Sequence, residues 1–268
     1  MDVLLLNFEL ELENFSLKDS INCGQFFRFE EVAKDKFLIF TRNKSCYIEQ
    51  CGKKLIVTQS NCEVDFWKSF LNFDKDYKSL LNGFRGDVLL EKLIKLCGGI
   101  RILKQDPFET LISFIISANN NISRIKSIIK TFCENFGEKN ENGYSFPTVD
   151  RLVCFKEEDF EVLRAGFRLK YIVDAIRKVY LGEVDLNGLY HKNALEAVSE
   201  LKKIYGVGDK VANCVVLFAY NNMMAFPVDV WIKKVVNEYY KNGVSSQVCS
   251  CPGLAQQFLF YGKREGYI

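Results

Sequence analysis

The residues best suited to do chemistry in this sequence are Lys210 and Asp229. Lys210 stands two residues past the G-V-G turn of "YGVGDKVANCVVLFAY", and Asp229 follows nineteen residues later in "FPVDVWIKKVV". Lys210 falls at the start of a long apolar run, where a helix should begin. A helix N-terminus disfavours an ammonium, and a desolvated site favours the neutral amine, which is a nucleophile. Asp229 precedes a new apolar-periodic run and fits an N-cap, where the helix dipole stabilises its charge. A lysine nucleophile beside a fixed carboxylate suits attack at a sugar carbon that gains positive charge in the transition state. The alternatives are plain: Lys210 as a phosphate contact or solvent-facing side chain, and Asp229 as a cap and nothing more.

Composition removes competing chemistries. The 268 residues contain one histidine, His191, which excludes a His-based triad or a His-ligated zinc site as the main chemistry. The ten cysteines form no C-x2-C ribbon and no run suited to an iron–sulfur cluster; Cys249 and Cys251 stand alone as a close pair. No metal ligand set is expected, and most of the thiols should be isolated and buried. No apolar run reaches the roughly 20 residues of a membrane span. The acidic start, "MDVLLLNFELELENF", lacks the features of a signal peptide. An intracellular protein with reduced thiols is expected, in the cytoplasm or nucleoid if prokaryotic, with no membrane partner and as a monomer. Net charge is +2, but residues 164–241 carry 12 Lys+Arg against 8 Asp+Glu, whereas residues 1–100 carry 14 against 15. The basic bias around Lys210 permits a polyanion partner without demanding one.

The elements that must position these residues read as two parts. "KFLIFT" (36–41), "CYIEQ" (46–50) and "KLIVTQ" (54–59) are β-branched and aromatic runs separated by turns, an antiparallel meander. From "PFETLISFIISANN" onward the period is helical, with Pro107 at a helix start and Gly137 as a C-cap. "KEEDFEVLRAGF", "RLKYIVDAIRKVYLG" and "ALEAVSELKKIYGVG" are further helix candidates. The last of these, followed by "DKVANCVVLFAY", reads as helix, tight turn, helix. Gly206 and Gly208 are expected to take angles closed to other residues and to leave backbone N–H groups uncovered, a seat for phosphate.

The helix-turn-helix with G-V-G-x-K-V-A, followed by P-V-D, resembles the helix-hairpin-helix/Gly-Pro-Asp superfamily of DNA glycosylases, and Lys210 resembles the lysine of its bifunctional members. "GQFFRF", "KQDPFETLISFIISANNNISRIKSIIKTFCENFG" and "GLAQQFLFY" resemble the 8-oxoguanine DNA glycosylases, so the resemblance runs from about residue 8 to 262. It implies an α+β fold: an N-terminal antiparallel, TBP-like β-containing domain (1–98) packed on a helical helix-hairpin-helix glycosylase core (99–268). It implies double-stranded DNA containing 8-oxoguanine as partner and a flipped-out nucleotide. Lys210 would attack the sugar carbon, the resulting Schiff base would permit β-elimination, and Asp229 would steady the developing charge.

The resemblance also assigns a pocket. The Gly24 carbonyl would accept the N7 hydrogen that 8-oxoguanine has and guanine lacks, although by pattern Gly24 is a turn glycine. Gln256 would bind the pairing edge. Phe260 would stack on the base, with Cys214 on its other face and Pro227 as a wall; by pattern alone Phe260 reads as core. Asn119 would enter the gap left by flipping, and Arg124, Phe167 and Arg168 would surround the opposite cytosine, whose acceptor edge two arginines can satisfy. Without the resemblance, Asn119 is a loop residue and Phe167 a helix-end aromatic. Three positions depart from the animal-type pattern. Phe167 replaces tyrosine, Trp231, at a DNA-contacting position, replaces a histidine and carries no proton, and Tyr205 replaces a proline before G-V-G. No cofactor is implied, save a structural cation on hairpin carbonyls, for which Ile204 and Val207 are candidates. Two rival readings stand: a glycosylase/lyase for another oxidised base, and a non-catalytic helix-hairpin-helix DNA-binding module.

Overall fold

The computed structural model describes residues 6–59 and 63–268. Its N-terminal part is one antiparallel sheet of β1 (Leu6–Glu11), β2 (Phe29–Ala33), β3 (Lys36–Thr41), β4 (Lys44–Cys51) and β5 (Lys54–Gln59), in the order β1-β5-β4-β3-β2. The three central strands are the expected meander. Period-two alternation explains their packing. Phe37 lies opposite Ile48, Ile48 opposite Val57, and Ile39 opposite Cys46, all buried on one face. That face is covered by Leu17 and Ile21 of α1 (Leu17–Asn22) and by Trp67 and Phe70 of α2 (Val64–Phe70). The Trp67 indole N–H donates to Gln59 Oε1 at 2.7 Å, satisfying a buried donor.

The remaining helices are α3 (Tyr77–Asn82), α4 (Val88–Cys97), α5 (Pro107–Ser117), α6 (Ile122–Phe136), α7 (Val149–Leu152), α8 (Leu169–Tyr180), α9 (Ala194–Leu201), α10 (Asp209–Phe218), α11 (Val230–Tyr239), α12 (Ser246–Ser250) and α13 (Pro252–Arg264). Central among them is α5, buried along nearly its whole length and opened by Asp106, which accepts the Glu109 N–H at 2.9 Å. "KEEDFEVLRAGF" does not form an α-helix. It makes two short 3-10 turns, 157–163 and 166–168, because Arg164 (φ 48) and Gly166 (φ 60) enter the left-handed region and stop propagation. Gly137 caps α6 as expected, but in an extended conformation. Among the described residues, no helix is long and apolar enough to cross a membrane.

Sheet and helices are joined by buried polar contacts. Arg28 pairs with Glu109 at 3.2 Å and donates to the Tyr144 carbonyl at 2.6 Å, while Glu109 also accepts the Arg42 N–H at 2.7 Å. Burial pushes the Glu109 carboxyl above the usual range, and Arg28 opposes that shift. Removing one partner of such a pair costs about 3–5 kcal/mol. Gln25 ties a second seam. Its side chain donates to the carbonyls of Ser20 and Arg101 and accepts the Leu103 N–H, and its own carbonyl accepts from Gln105 Nε2 at 2.7 Å. The Gln105 N–H then donates to the Phe218 carbonyl at 2.9 Å. The segment carrying Gly24 is thereby fixed relative to the C-terminal end of α10.

Candidate active site

The hairpin forms where expected, between α9 and α10. Gly206 has φ +78, and a Cβ there would fall 2.3 Å from the Tyr171 ring, so only glycine fits. Gly208 corrects the expectation. It is the N-cap of α10 with φ −96 and ψ −174, extended backbone open to any residue, and a Cβ would meet nothing within 4 Å.

Lys210 is the second residue of α10 and half-buried. Its Nζ donates to Ser117 Oγ at 3.0 Å and lies 5.0 Å from the centre of the Phe114 ring. Ser117 and Phe114 are one turn apart at the end of α5, which packs on α10. The Ser117 hydroxyl donates its only proton to the Phe114 carbonyl at 2.8 Å. Toward Lys210 it acts as an acceptor only. It takes one N–H of Lys210 and offers the nitrogen no competing proton, so the contact aims the side chain without donating to it.

Asp229 caps α11. One oxygen, Oδ1, accepts both the Trp231 N–H (3.0 Å) and the Ile232 N–H (2.8 Å). The second oxygen is not used by the cap, so one carboxylate serves as a helix anchor and a fixed negative charge together. Cys214 lies one turn beyond Lys210 and is buried. Burial pushes its thiol up to about 11, the Lys210 charge acts to lower it, and the Asp229 charge acts to raise it. The charges of Lys210 and Asp229 thus act on this protonated thiol in opposite directions.

A second cluster forms around Gly24. Its φ is +79, and a Cβ would lie 2.9 Å from Phe260 Cε1 and 3.4 Å from Arg264 Nη1. Arg264 crosses the Phe260 ring at 5.5 Å and donates to the Asn22 carbonyl. Gln256, 4% exposed on the same helix, accepts from Gln257 Nε2 at 2.7 Å. Pro227 is buried just ahead of Asp229. Neither Gln256 nor Pro227 is hydrogen-bonded to Lys210 or Asp229. The structure thus joins Gly24 with Phe260, and Lys210 with Ser117 and Phe114, with Cys214 one turn along the same helix.

The third cluster surrounds the "NNN" turn. Asn119 is exposed at φ +49. Arg168, only 6% exposed, donates to the carbonyls of Ala118 (2.7 Å), Asn119 (2.7 Å) and Ala165 (3.2 Å), which holds that turn in place. Two of its five N–H groups remain. Desolvation, and secondarily Arg124, lowers its guanidinium below the ordinary value. Arg124 is exposed and donates to the Arg164 carbonyl at 3.1 Å. Phe167 is 53% exposed, with the Arg168 guanidinium 4.5 Å above its ring. Trp231 is half-buried, with Lys234 Nζ 5.2 Å from its ring.

Among the described residues there is no group of three or more His, Cys, Asp or Glu side chains able to hold a metal. A cation at the hairpin would have neutral carbonyls as ligands. The Ile204 carbonyl already accepts the Val207 N–H at 3.1 Å, which leaves one lone pair. A cavity of about 460 Å³ lies elsewhere, between the sheet and α6, lined by Phe29, Phe40, Lys126 and Tyr144, and contains none of the expected site residues.

Family models match almost the same span as the motifs. The 8-oxoguanine DNA glycosylase N-terminal domain matches residues 7–111, and the HhH-GPD superfamily of base excision DNA repair proteins matches residues 112–247. The chain belongs to the 8-oxoguanine DNA glycosylase family. A Clostridium acetobutylicum 8-oxoguanine glycosylase/lyase, solved with double-stranded DNA containing cytosine opposite 8-oxoG, superposes on this family member with a TM-score of 0.89 at 38% identity, covering 100% of each chain. The N-glycosylase/DNA lyase of Saccharomyces cerevisiae is 36% identical over 53% of this chain and 42% of its own length. The N-glycosylase/DNA lyase OGG1 of Arabidopsis thaliana is 34% identical over 63% of this chain and 49% of its own. The matches thus span less than half the length of these two relatives.

Three residues that contact the candidate site residues or their segments were not legible in sequence. Ser117 reads as a helix-end serine, Gln25 as a polar residue in an aromatic run, and Tyr171 as part of an apolar stripe. Ser117 yields a direct expectation. Ser117→Ala should lower the single-turnover rate of any Lys210-dependent step about tenfold, since the amine loses its fixed direction. Duplex affinity should stay the same. An unchanged rate would show that another group aims the amine.

Proposed function

We propose that this protein is a bifunctional DNA glycosylase and abasic-site lyase that excises 8-oxoguanine opposite cytosine. The observation that carries this reading is the acceptor-only contact of Ser117 with Lys210, which fixes the amine one helical turn from a thiol on which the Asp229 charge also acts. In this reading the damaged nucleotide leaves the stack because its sugar carbon is otherwise out of reach. The Lys210 nitrogen forms a bond to C1′ as the C1′–N9 bond breaks, with its electron pair leaving on the base, which gains a proton. Asp229 offsets the positive charge that develops on the sugar. The nitrogen then loses a proton and its electron pair expels O4′, which takes up a proton, so the sugar ring opens to the imine. The imine makes the C2′ proton acidic, and its loss expels the 3′ phosphate and nicks the strand.

Gly24 supplies base selectivity through its carbonyl. Guanine would leave that acceptor facing a lone pair, at about 1–3 kcal/mol for an unsatisfied buried group. Gln256 binds the pairing edge, and Phe260 and Cys214 enclose the ring. Asn119 fills the gap while Phe167 wedges beside it, a stack worth about 1–3 kcal/mol. Arg124, with the two remaining N–H groups of Arg168, meets the cytosine acceptors. The Clostridium relative, solved with cytosine opposite the lesion, supports this partner base. The hairpin N–H groups take a backbone phosphate, and no step requires the hairpin cation.

The test is excision measured on duplexes carrying 8-oxoguanine opposite each of the four bases. Fastest excision opposite cytosine is expected, and Arg124→Ala should reduce that preference by about tenfold. An unchanged preference would remove Arg124 from this role. Excision of a different oxidised base alone would reassign the substrate, and binding without excision would indicate the DNA-binding module.

A further inference from the structure

The hairpin and the Phe167 wedge lie far apart in sequence, but one helix holds both. Phe167 and Arg168 lead directly into α8, whose first turn carries Tyr171. The Phe167 and Tyr171 rings meet edge to face, with centroids 5.8 Å apart at 67°. Tyr171 in turn meets Tyr205 at 5.0 Å and 85°. The three rings form a continuous ridge from wedge to hairpin, its two ends, Phe167 and Tyr205, 53% and 60% exposed.

The hairpin end of this ridge admits no slack. Gly206 sits so close to Tyr171 that a Cβ would fall 2.3 Å from ring atoms. One turn along α8, Asp174 Oδ2 accepts the Tyr205 backbone N–H at 2.7 Å. Asp174 is itself held by Lys178, whose Nζ lies 2.9 Å from the same oxygen, and by Arg177, 3.6 Å from Oδ1. At the N-cap of the same helix, three residues before Tyr171, Arg168 clamps the carbonyls of Ala118 and Asn119. Wedge, gap-filling turn and nucleophile-bearing hairpin are therefore referenced to the same rigid element.

We propose that α8 is the strut that sets the distance between the wedge and Lys210, with Tyr171 and Tyr205 as its positioning residues. The proposal rests on the glycosylase reading above and adds residues that touch neither the base nor the sugar. Displacement of a reacting atom by about 1 Å can cost on the order of a hundredfold in rate. A contact that fixes the wedge relative to the amine should therefore act on chemistry rather than on affinity. Tyr205 contributes in two ways, by its ring and by its N–H; proline at this position would lack both.

The test compares wild type, Tyr171→Leu, Tyr171→Phe, Tyr205→Pro and the Tyr171→Leu/Tyr205→Pro pair. Three quantities are measured: single-turnover excision, affinity for a duplex with an uncleavable abasic analogue, and fluorescence of a 2-aminopurine placed beside that analogue, which reads wedge insertion. Tyr171→Leu and Tyr205→Pro should each slow excision about tenfold, with affinity nearly unchanged and the insertion signal reduced. Tyr171→Phe keeps the ring and should restore wild-type behaviour. The double variant should be no slower than the slower single variant, since both break one strut. Should Tyr171→Leu fail to fold, Asp174→Asn carries the same expectation from the clamp alone.

Wild-type rates and an unaltered insertion signal in both single variants would overturn the strut, as would losses that add fully in the double variant. A wild-type protein that does not excise would instead overturn the glycosylase reading. The insertion signal on the abasic duplex would still decide the strut.

Discussion

Lys210→Gln should abolish the covalent complex that borohydride traps between this protein and an 8-oxoguanine duplex. Excision should fall at least about a thousandfold, since the residue that forms the bond is gone and nothing else in the cluster can replace it. The half-buried neighbourhood of Lys210 contains a buried thiol that stays protonated at neutral pH, a serine committed to a backbone carbonyl, and a phenyl ring. None of these is a competent substitute nucleophile. Glutamine keeps a polar end that can still donate to Ser117. The fold loses little beyond the cation–π contact with Phe114, worth about 0.5–2 kcal/mol. Duplex affinity, measured by anisotropy, should remain within a few-fold of wild type, because the hairpin N–H groups and the cluster around Arg124 are untouched. Trapping that survives the substitution would assign the imine to another amine, and absence of trapping by the wild-type protein would end the lysine mechanism.

Asp229→Asn should separate the two duties of that carboxylate. The cap uses Oδ1 alone, and an asparagine oxygen accepts the same two N–H groups. Asparagine is as good an N-cap as aspartate, so the stability loss should stay below about 1 kcal/mol. What disappears is the charge. A preorganised group aimed at charge developing in the transition state is worth on the order of a hundred- to a thousandfold in rate, and excision should fall by that factor. Asp229→Ala should lose the charge and the cap together, with about 1 kcal/mol of additional destabilisation measurable in urea. A fully active Asp229→Asn variant would mean that Asp229 is only a cap.

The central sheet was legible because β3, β4 and β5 are short runs rich in β-branched and aromatic residues separated by turns. The edge strands were missed for opposite reasons. β2, "FEEVA", is exposed along nearly its whole length and shows no inward pattern. β1, "LNFELE", does alternate, with Leu10 buried against Leu55, but the segment was read only for export features. The stretch 156–167 misled through composition: strong helix formers fill it, yet Arg164 and Gly166 turn left-handed and break it into 3-10 turns. Gly208 misled in another way, since a glycine beside a turn suggests unusual angles and this one adopts ordinary extended ones.

The sequence alone determined the parts whose physics is local. The Lys210 position at a helix start, the Asp229 cap and the hairpin follow from spacing, dipole and turn chemistry over a few residues. Tertiary structure decided which groups meet. Ser117 reaches Lys210 across 93 residues, Gly24 meets Phe260 across most of the chain, and Arg168 closes on Asn119 across 49. Such contacts leave no periodic trace in sequence, because a helix or strand pattern records only which face is buried. The aim of a side-chain nitrogen, the free oxygen of a cap and the spacing of a wedge from an amine exist only once the faces are packed.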